Sequence, residues 1–104
     1  VKKTAKASGL SLDSVMSFPN PISRTDKVTF MAKGERIDRM KVEVFTSSGN
    51  RVFESGFKDT SSISWNLTTN TGSAVSNGIY LYRVAVKGQN STLTSDVKKL
   101  LVLQ

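Results

Sequence analysis

One ten-residue run, Gly78 to Lys87, constrains the fold of this chain more than any other feature. It reads Gly-Ile-Tyr-Leu-Tyr-Arg-Val-Ala-Val-Lys and opens on the turn-forming pair Asn77-Gly78. β-Branched and aromatic residues favour a pleated backbone, and asparagine–glycine tolerates the φ angles that a tight turn needs. On a strand, Tyr80, Tyr82, Val84 and Val86 share one face, and Ile79, Leu81, Arg83 and Ala85 the other. A strand apolar on nearly both faces is expected at the centre of a sheet covered on both sides. The rest of the chain must supply that cover.

Six further β-prone runs are separated by turn signals: residues 12–18, 27–31, 40–45, 51–57, 62–66 and 92–103. Val28 and Phe30 alternate inward with polar neighbours, and Met40, Val42 and Val44 share a face opposite charged residues. Ile63 and Trp65 are the buried positions of the short run around them. Gly49 suits the positive-φ position of a hairpin between two of the runs. No stretch shows an apolar stripe at helical spacing. Seven runs with a turn every 8–12 residues or so predict an all-β, seven-stranded antiparallel Ig-like β-sandwich. At 104 residues the chain holds one core. Residues 1–11, small, polar and aperiodic, are expected to be a linker or disordered N-terminus, and residues 12–104 the sandwich.

Residue types exclude much chemistry. The chain has no cysteine and no histidine, which removes disulfides, thiolate catalysis, zinc–thiolate sites and the commonest general base. A hydrolase would be left with a serine–lysine pair or with two carboxylates. Lys98 and Lys99 lie on a strand, and Asp26, Asp38, Glu43, Glu54 and Asp59 fall at turns and hairpin exteriors. No Asp-x-Asp-x-Asp cluster marks a calcium loop. Catalysis, cofactor and metal are therefore not expected. The first residue is valine, as expected of a fragment or processed product, and no apolar run approaches a membrane span.

The net charge is +7, and removing Lys2, Lys3 and Lys6 leaves +4 for residues 7–104. The other cations alternate along the chain with all eight acidic residues. Nucleic-acid binders concentrate lysine and arginine on one face, so no nucleic-acid partner is expected. A basic surface still favours loose contact with anionic surface polysaccharide.

Several motifs in order are more specific than a generic sandwich. They are Phe18-Pro19-Asn20-Pro21, then Val42 to Phe45 leading through Gly49-Asn50-Arg51-Val52, then Trp65-Asn66. Gly78-Ile79-Tyr80-Leu81-Tyr82-Arg83 follows, and Lys98-Lys99-Leu100-Leu101-Val102 closes the series. From about residue 15 onward the chain resembles the C-terminal sorting domains of the type IX secretion system and the related Ig-like domain of flagellar hook-capping proteins. Asn50 is a departure, since the family's hairpin more often joins glycine directly to a basic residue.

The resemblance implies a non-catalytic C-terminal module of a larger exported bacterial protein, acting as a secretion, sorting and surface-attachment signal. The implied location is the cell surface or the medium. The implied partners are secretion or cell-surface machinery and the parent catalytic domain. The implied contact residues are Arg83, Lys98, Lys99, Leu100, Leu101 and Val102. Two other readings compete: an accessory domain that stabilises or tethers an exported protease or glycosidase, and a carbohydrate-binding module. The last needs exposed, coplanar aromatic rings. Of the eight aromatic residues, only Phe45, Phe53 and Phe57 are expected to lie outside.

Overall fold

The computed structural model describes residues 9–23 and 27–103. They form two facing sheets. The smaller has three strands in the order β1-β3-β6: β1 (Ser14–Phe18), β3 (Val28–Lys33) and β6 (Ser62–Trp65). The larger contains β2 (Ile22–Ser23), β4 (Arg39–Thr46), β5 (Arg51–Glu54), β7 (Gly78–Lys87), β8 (Thr92–Thr94) and β9 (Lys98–Leu103). Its order is β2-β9-β7-β4-β5, with β8 also paired to β7. The β-sandwich expected from the alternation is thus present, with two additions. Ile22–Ser23 forms a short strand parallel to β9, so the larger sheet is mixed, and the last run divides into β8 and β9.

The core is the inward set read from the sequence. Val28, Phe30, Met40, Val42, Val44, Val84 and Val86 are fully buried, and Tyr80, Tyr82, Ile63 and Trp65 nearly so. Ring contacts join the sheets: Phe30 meets Tyr82 at 4.8 Å between centroids, and Phe53 stacks on Trp65 at 5.3 Å. The polar ends of the large rings are satisfied, as burial requires. Trp65 Nε1–H donates to the Thr68 carbonyl at 2.7 Å, and the Tyr80 hydroxyl to the Ser76 carbonyl at 2.7 Å.

β7 is central, paired with β4 along one side and with β9 and then β8 along the other. The expectation that both its faces are covered is not met. Its Tyr80–Val86 face packs on the smaller sheet; on the other face Ala85 is buried, but among the described residues Ile79 stays 50% exposed. The larger sheet therefore keeps one open face.

Two serines explain why expected strands end early. At Ser95 the backbone N–H donates to the Val84 carbonyl, while the Val84 N–H donates to the Ser95 hydroxyl at 3.0 Å. That hydroxyl donates on to the Asp96 carbonyl, so the side chain stands in for the next ladder partner and releases the chain between β8 and β9. Ser55 does the same after β5, accepting from Val42 N–H at 3.0 Å and donating to the Gly56 carbonyl.

Residues 1–8 of the expected linker lie outside the described residues, but its far end is packed. Leu10 is fully buried and Ser11 2% exposed. Ser11 N–H donates to the Glu35 carbonyl, and Glu35 N–H to both the Ser11 carbonyl and hydroxyl. Leu10 and Ser11, within the expected linker of residues 1–11, are therefore part of the packed body. Leu10 carries no neighbouring apolar period that would have marked it. Gly34 is what permits the approach: a Cβ there would stand 1.9 Å from the Ser11 carbonyl oxygen.

Candidate functional site

The expected contact residues on β9 split by strand parity. Leu100 and Val102 are fully buried, opposite Tyr80 and Gly78. They hold β9 in the sandwich, and no partner can reach them while the domain is folded, which corrects that part of the expectation. Lys99, Leu101 and Leu103 point to the open face. Lys98 lies in register with inward-facing Tyr82, yet is exposed at the rim.

The cross-strand register defines the open face. At one end Leu101 of β9 pairs with Ile79 of β7, and the next row reads Lys99, Leu81, Phe45 and Arg51 across β9, β7, β4 and β5. A third row brings Arg83 opposite Glu43. Beyond it come Lys41 beside Ala85, then Arg39 beside Lys87. The face thus grades from an aliphatic end to a cationic end.

Glu43 organises the middle. Arg83 Nε donates to one of its carboxylate oxygens at 2.9 Å and Arg51 Nη1 to the other at 3.0 Å. Burial pushes the Glu43 carboxyl up. The hydrogen bonds from Arg83 and Arg51, with the charges of Arg83 and Lys41, outweigh this and hold it below its ordinary value. Arg83 was expected to be free for a contact. It is instead tied to a carboxylate, with its guanidinium also 5.5 Å from the Phe45 ring centre.

The three phenylalanines expected outside do not form a row of bare rings. Phe53 turns inward onto Trp65. Phe45 lies under Arg83, and Phe57 under both Lys41 at 5.1 Å and Lys87 at 4.7 Å. Phe18, expected inward, is 45% exposed on the outside of the smaller sheet.

Both edges of the larger sheet are capped by asparagine side chains. Leu101 N–H donates to Asn20 Oδ1 at 3.1 Å, and Asn20 Nδ2 donates to the Lys99 carbonyl at 3.0 Å. The amide thereby occupies the place of a neighbouring strand residue, immediately before β2 takes over the pairing at Val102. On the opposite edge, Glu54 N–H donates to Asn70 Oδ1 at 2.9 Å and Asn70 Nδ2 to the Glu54 carbonyl at 3.2 Å. A small hairpin presents Asn70, its base closed by Val75 N–H to the Leu67 carbonyl with both side chains buried.

Along the sequence the cations alternate with acidic residues. Folding gathers Arg39, Lys41, Arg51, Arg83, Lys87 and Lys99 on one face. The signal was present as parity: Arg39, Lys41 and Glu43 recur at period 2 on β4, as do Arg83 and Lys87 on β7. Asp26, one of the acidic candidates, lies outside the described residues. Among the described residues no three acidic side chains gather to hold a metal. No helix among them is long and apolar enough to cross a membrane.

Comparison with known proteins gives a consistent result. The matching family is the secretion system C-terminal sorting domain, over residues 16–102. Among solved structures the chain is similar to part of dimeric latent PorU from Porphyromonas gingivalis. The two are 29% identical with a TM-score of 0.72, over 86% of this chain and 9% of PorU. It shares its fold with part of PorZ from the same organism, described as an essential bacterial surface component of the type-IX secretion system. There the identity is 23% and the TM-score 0.61, over 86% of this chain and 11% of PorZ. The chain therefore spans about a tenth of the length of either protein. No curated protein matches it.

Proposed function

This chain belongs to the family of secretion system C-terminal sorting domains, and from that membership we propose that it is a non-catalytic module marking its parent for the type IX export route and for retention at the cell surface. Domains of this family are carried by exported proteins, which are secreted or held at the surface. In this reading the export machinery recognises the folded sandwich with β9 in place. Lys98, Lys99 and Leu101, with Arg83 on the adjoining strand, form the part that it meets. Leu100 and Val102 act beneath them by seating the strand.

One observation carries the reading. β9 is not a trailing tail but an interior strand of the larger sheet, joined to β7 along Gly78–Tyr82 and to β2 on its other side. Recognition of its outward residues is then conditional on folding. A module of this kind can report that the protein ahead of it has been completed.

The test is removal of residues 98–104 from the exported protein, followed by surface delivery in its own host. Delivery is expected to be lost, and unchanged delivery overturns the proposal. Because the deletion also strips Leu100 and Val102 from the core, a double variant Lys98→Ala, Lys99→Ala is run beside it. That variant keeps the core and is expected to weaken delivery without lowering the unfolding temperature.

A further inference from the structure

We infer that the open face of the larger sheet is the docking surface, and that its occupant is a protein segment of the export machinery carrying aliphatic side chains next to a carboxylate. This rests on the sorting reading above and says where, and by what chemistry, the module is recognised.

The aliphatic end supplies the first argument. Ile79 is 50% exposed and Leu103 46% exposed, and half-buried Leu81 and Leu101 connect them. Ile79 and Leu101 are register partners, so the patch is continuous across the central and C-terminal strands. The solvent face of an antiparallel sheet ordinarily alternates to polar residues, and a contiguous apolar patch rimmed by charge marks an interaction site.

Charge supplies the second. Lys99 stands beside Leu81 at the border of the patch, with Arg51 at the far end of the same row and Arg83 in the next. Two acidic residues lie among them: Glu43, which already accepts from both arginines, and its register partner Glu54, which accepts from Gly56 N–H. Arg83, Arg51, Lys99 and, one row on, Lys41 outnumber these two carboxylates. An incoming carboxylate is complementary to this excess. A second copy of this chain would set like charges against each other.

The chemistry of the patch suits a protein rather than a saccharide. Sugar rings stack on bare aromatic faces, whereas this patch is aliphatic, and Phe45 and Phe57 are each covered by cations. The surface offered on the larger sheet is a face rather than an edge. Strand addition needs unpaired backbone, and Asn20 with β2 closes the β9 side while Asn70 closes Glu54 on the β5 side.

The experiment follows surface delivery of the exported protein in its host. A double variant Ile79→Ser, Leu101→Ser is expected to cut delivery about tenfold or more, through the lost burial of two aliphatic side chains. Lys99→Glu is expected to cut it more than Lys99→Gln, because reversal adds repulsion against a carboxylate. Met16→Ser, on the outside of the smaller sheet, is expected to leave it unchanged. Resistance of each variant to proteolysis verifies folding. A photo-crosslinking residue at position 103 is expected to capture an acidic, apolar segment of a machinery protein.

Full delivery of the face variants overturns the inference, and with it the contact role of Lys99 and Leu101, while leaving export by the folded module intact. Failure of the unaltered protein to reach the surface overturns the sorting reading itself. A crosslink to polysaccharide or to another copy of the chain overturns the choice of occupant.

Discussion

Replacing Asn20 by alanine removes one small side chain and two backbone contacts of the C-terminal strand. The lost bonds are Leu101 N–H to Oδ1 at 3.1 Å and Nδ2 to the Lys99 carbonyl at 3.0 Å. Each such bond is worth about 1 kcal/mol net. Asn20 is exposed, so water can reach both released groups and the full cost of burying an unsatisfied polar atom does not apply. The expected loss is therefore about 1–2 kcal/mol. For a domain of this size each kcal/mol lowers the midpoint by about 4–8 °C, so a drop on the order of 10 °C is expected. Thermal unfolding followed by circular dichroism reads the global effect, and hydrogen exchange at the Leu101 amide reads the local one. Protection at Leu101 should fall more than at Val84, whose partners are untouched. Asn20→Asp keeps the acceptor and loses the donor, so it should protect Leu101 better than alanine does. If Leu101 protection and the midpoint are both unchanged in Asn20→Ala, the side chain does not hold the strand, and the reasoning fails.

Three other outcomes are expected. Gly34→Ala places a Cβ 1.9 Å from the Ser11 carbonyl oxygen, so the Leu10–Ser11 segment must move. A loss of about 3 kcal/mol in denaturant titration is expected, at the upper end of overpacking costs. Leu100→Ala, at a fully buried position, should cost about 2–5 kcal/mol. Leu103→Ala on the same strand, 46% exposed, should cost far less, and equal losses would contradict the assigned facing. Glu43 has a lowered pKa when folded, so its ionised form stabilises the fold above the ordinary value of 4.5 and that stability is lost as pH falls through the folded value. The stability advantage of the native protein over Glu43→Gln should therefore be largest near neutral pH and shrink in acid below that value. An advantage that grew in acid would refute the role assigned to the two arginines.

Alternation carried most of the fold. Val28 and Phe30, Met40 to Val44 and Tyr80 to Val86 all face inward as their spacing requires, because period 2 leaves a strand only two choices. What escaped was set by side chains acting as backbone. Ser55 and Ser95 end strands by taking a ladder position with a hydroxyl, and Asn20 and Asn70 close edges with an amide. Nothing in composition distinguishes these from turn residues, since the act depends on partners 11 to 81 positions away. The cationic face escaped for a related reason. Its residues come from four strands, and only the register of β9, β7, β4 and β5 shows that Lys99, Arg83, Lys41 and Arg51 are neighbours. Leu100 and Val102 were grouped with the lysines as one motif, whereas strand parity gives them the core.

The central claim is that this sandwich suffices to direct a protein to the surface. It is tested most directly by joining residues 1–104 to the end of a folded, unrelated reporter in a host with type IX secretion. Protease treatment of intact cells then scores the reporter as outside or inside. The result expected is a reporter at the surface or in the medium, dependent on the secretion system. A reporter retained inside the cell envelope, with the sandwich folded, would contradict the claim.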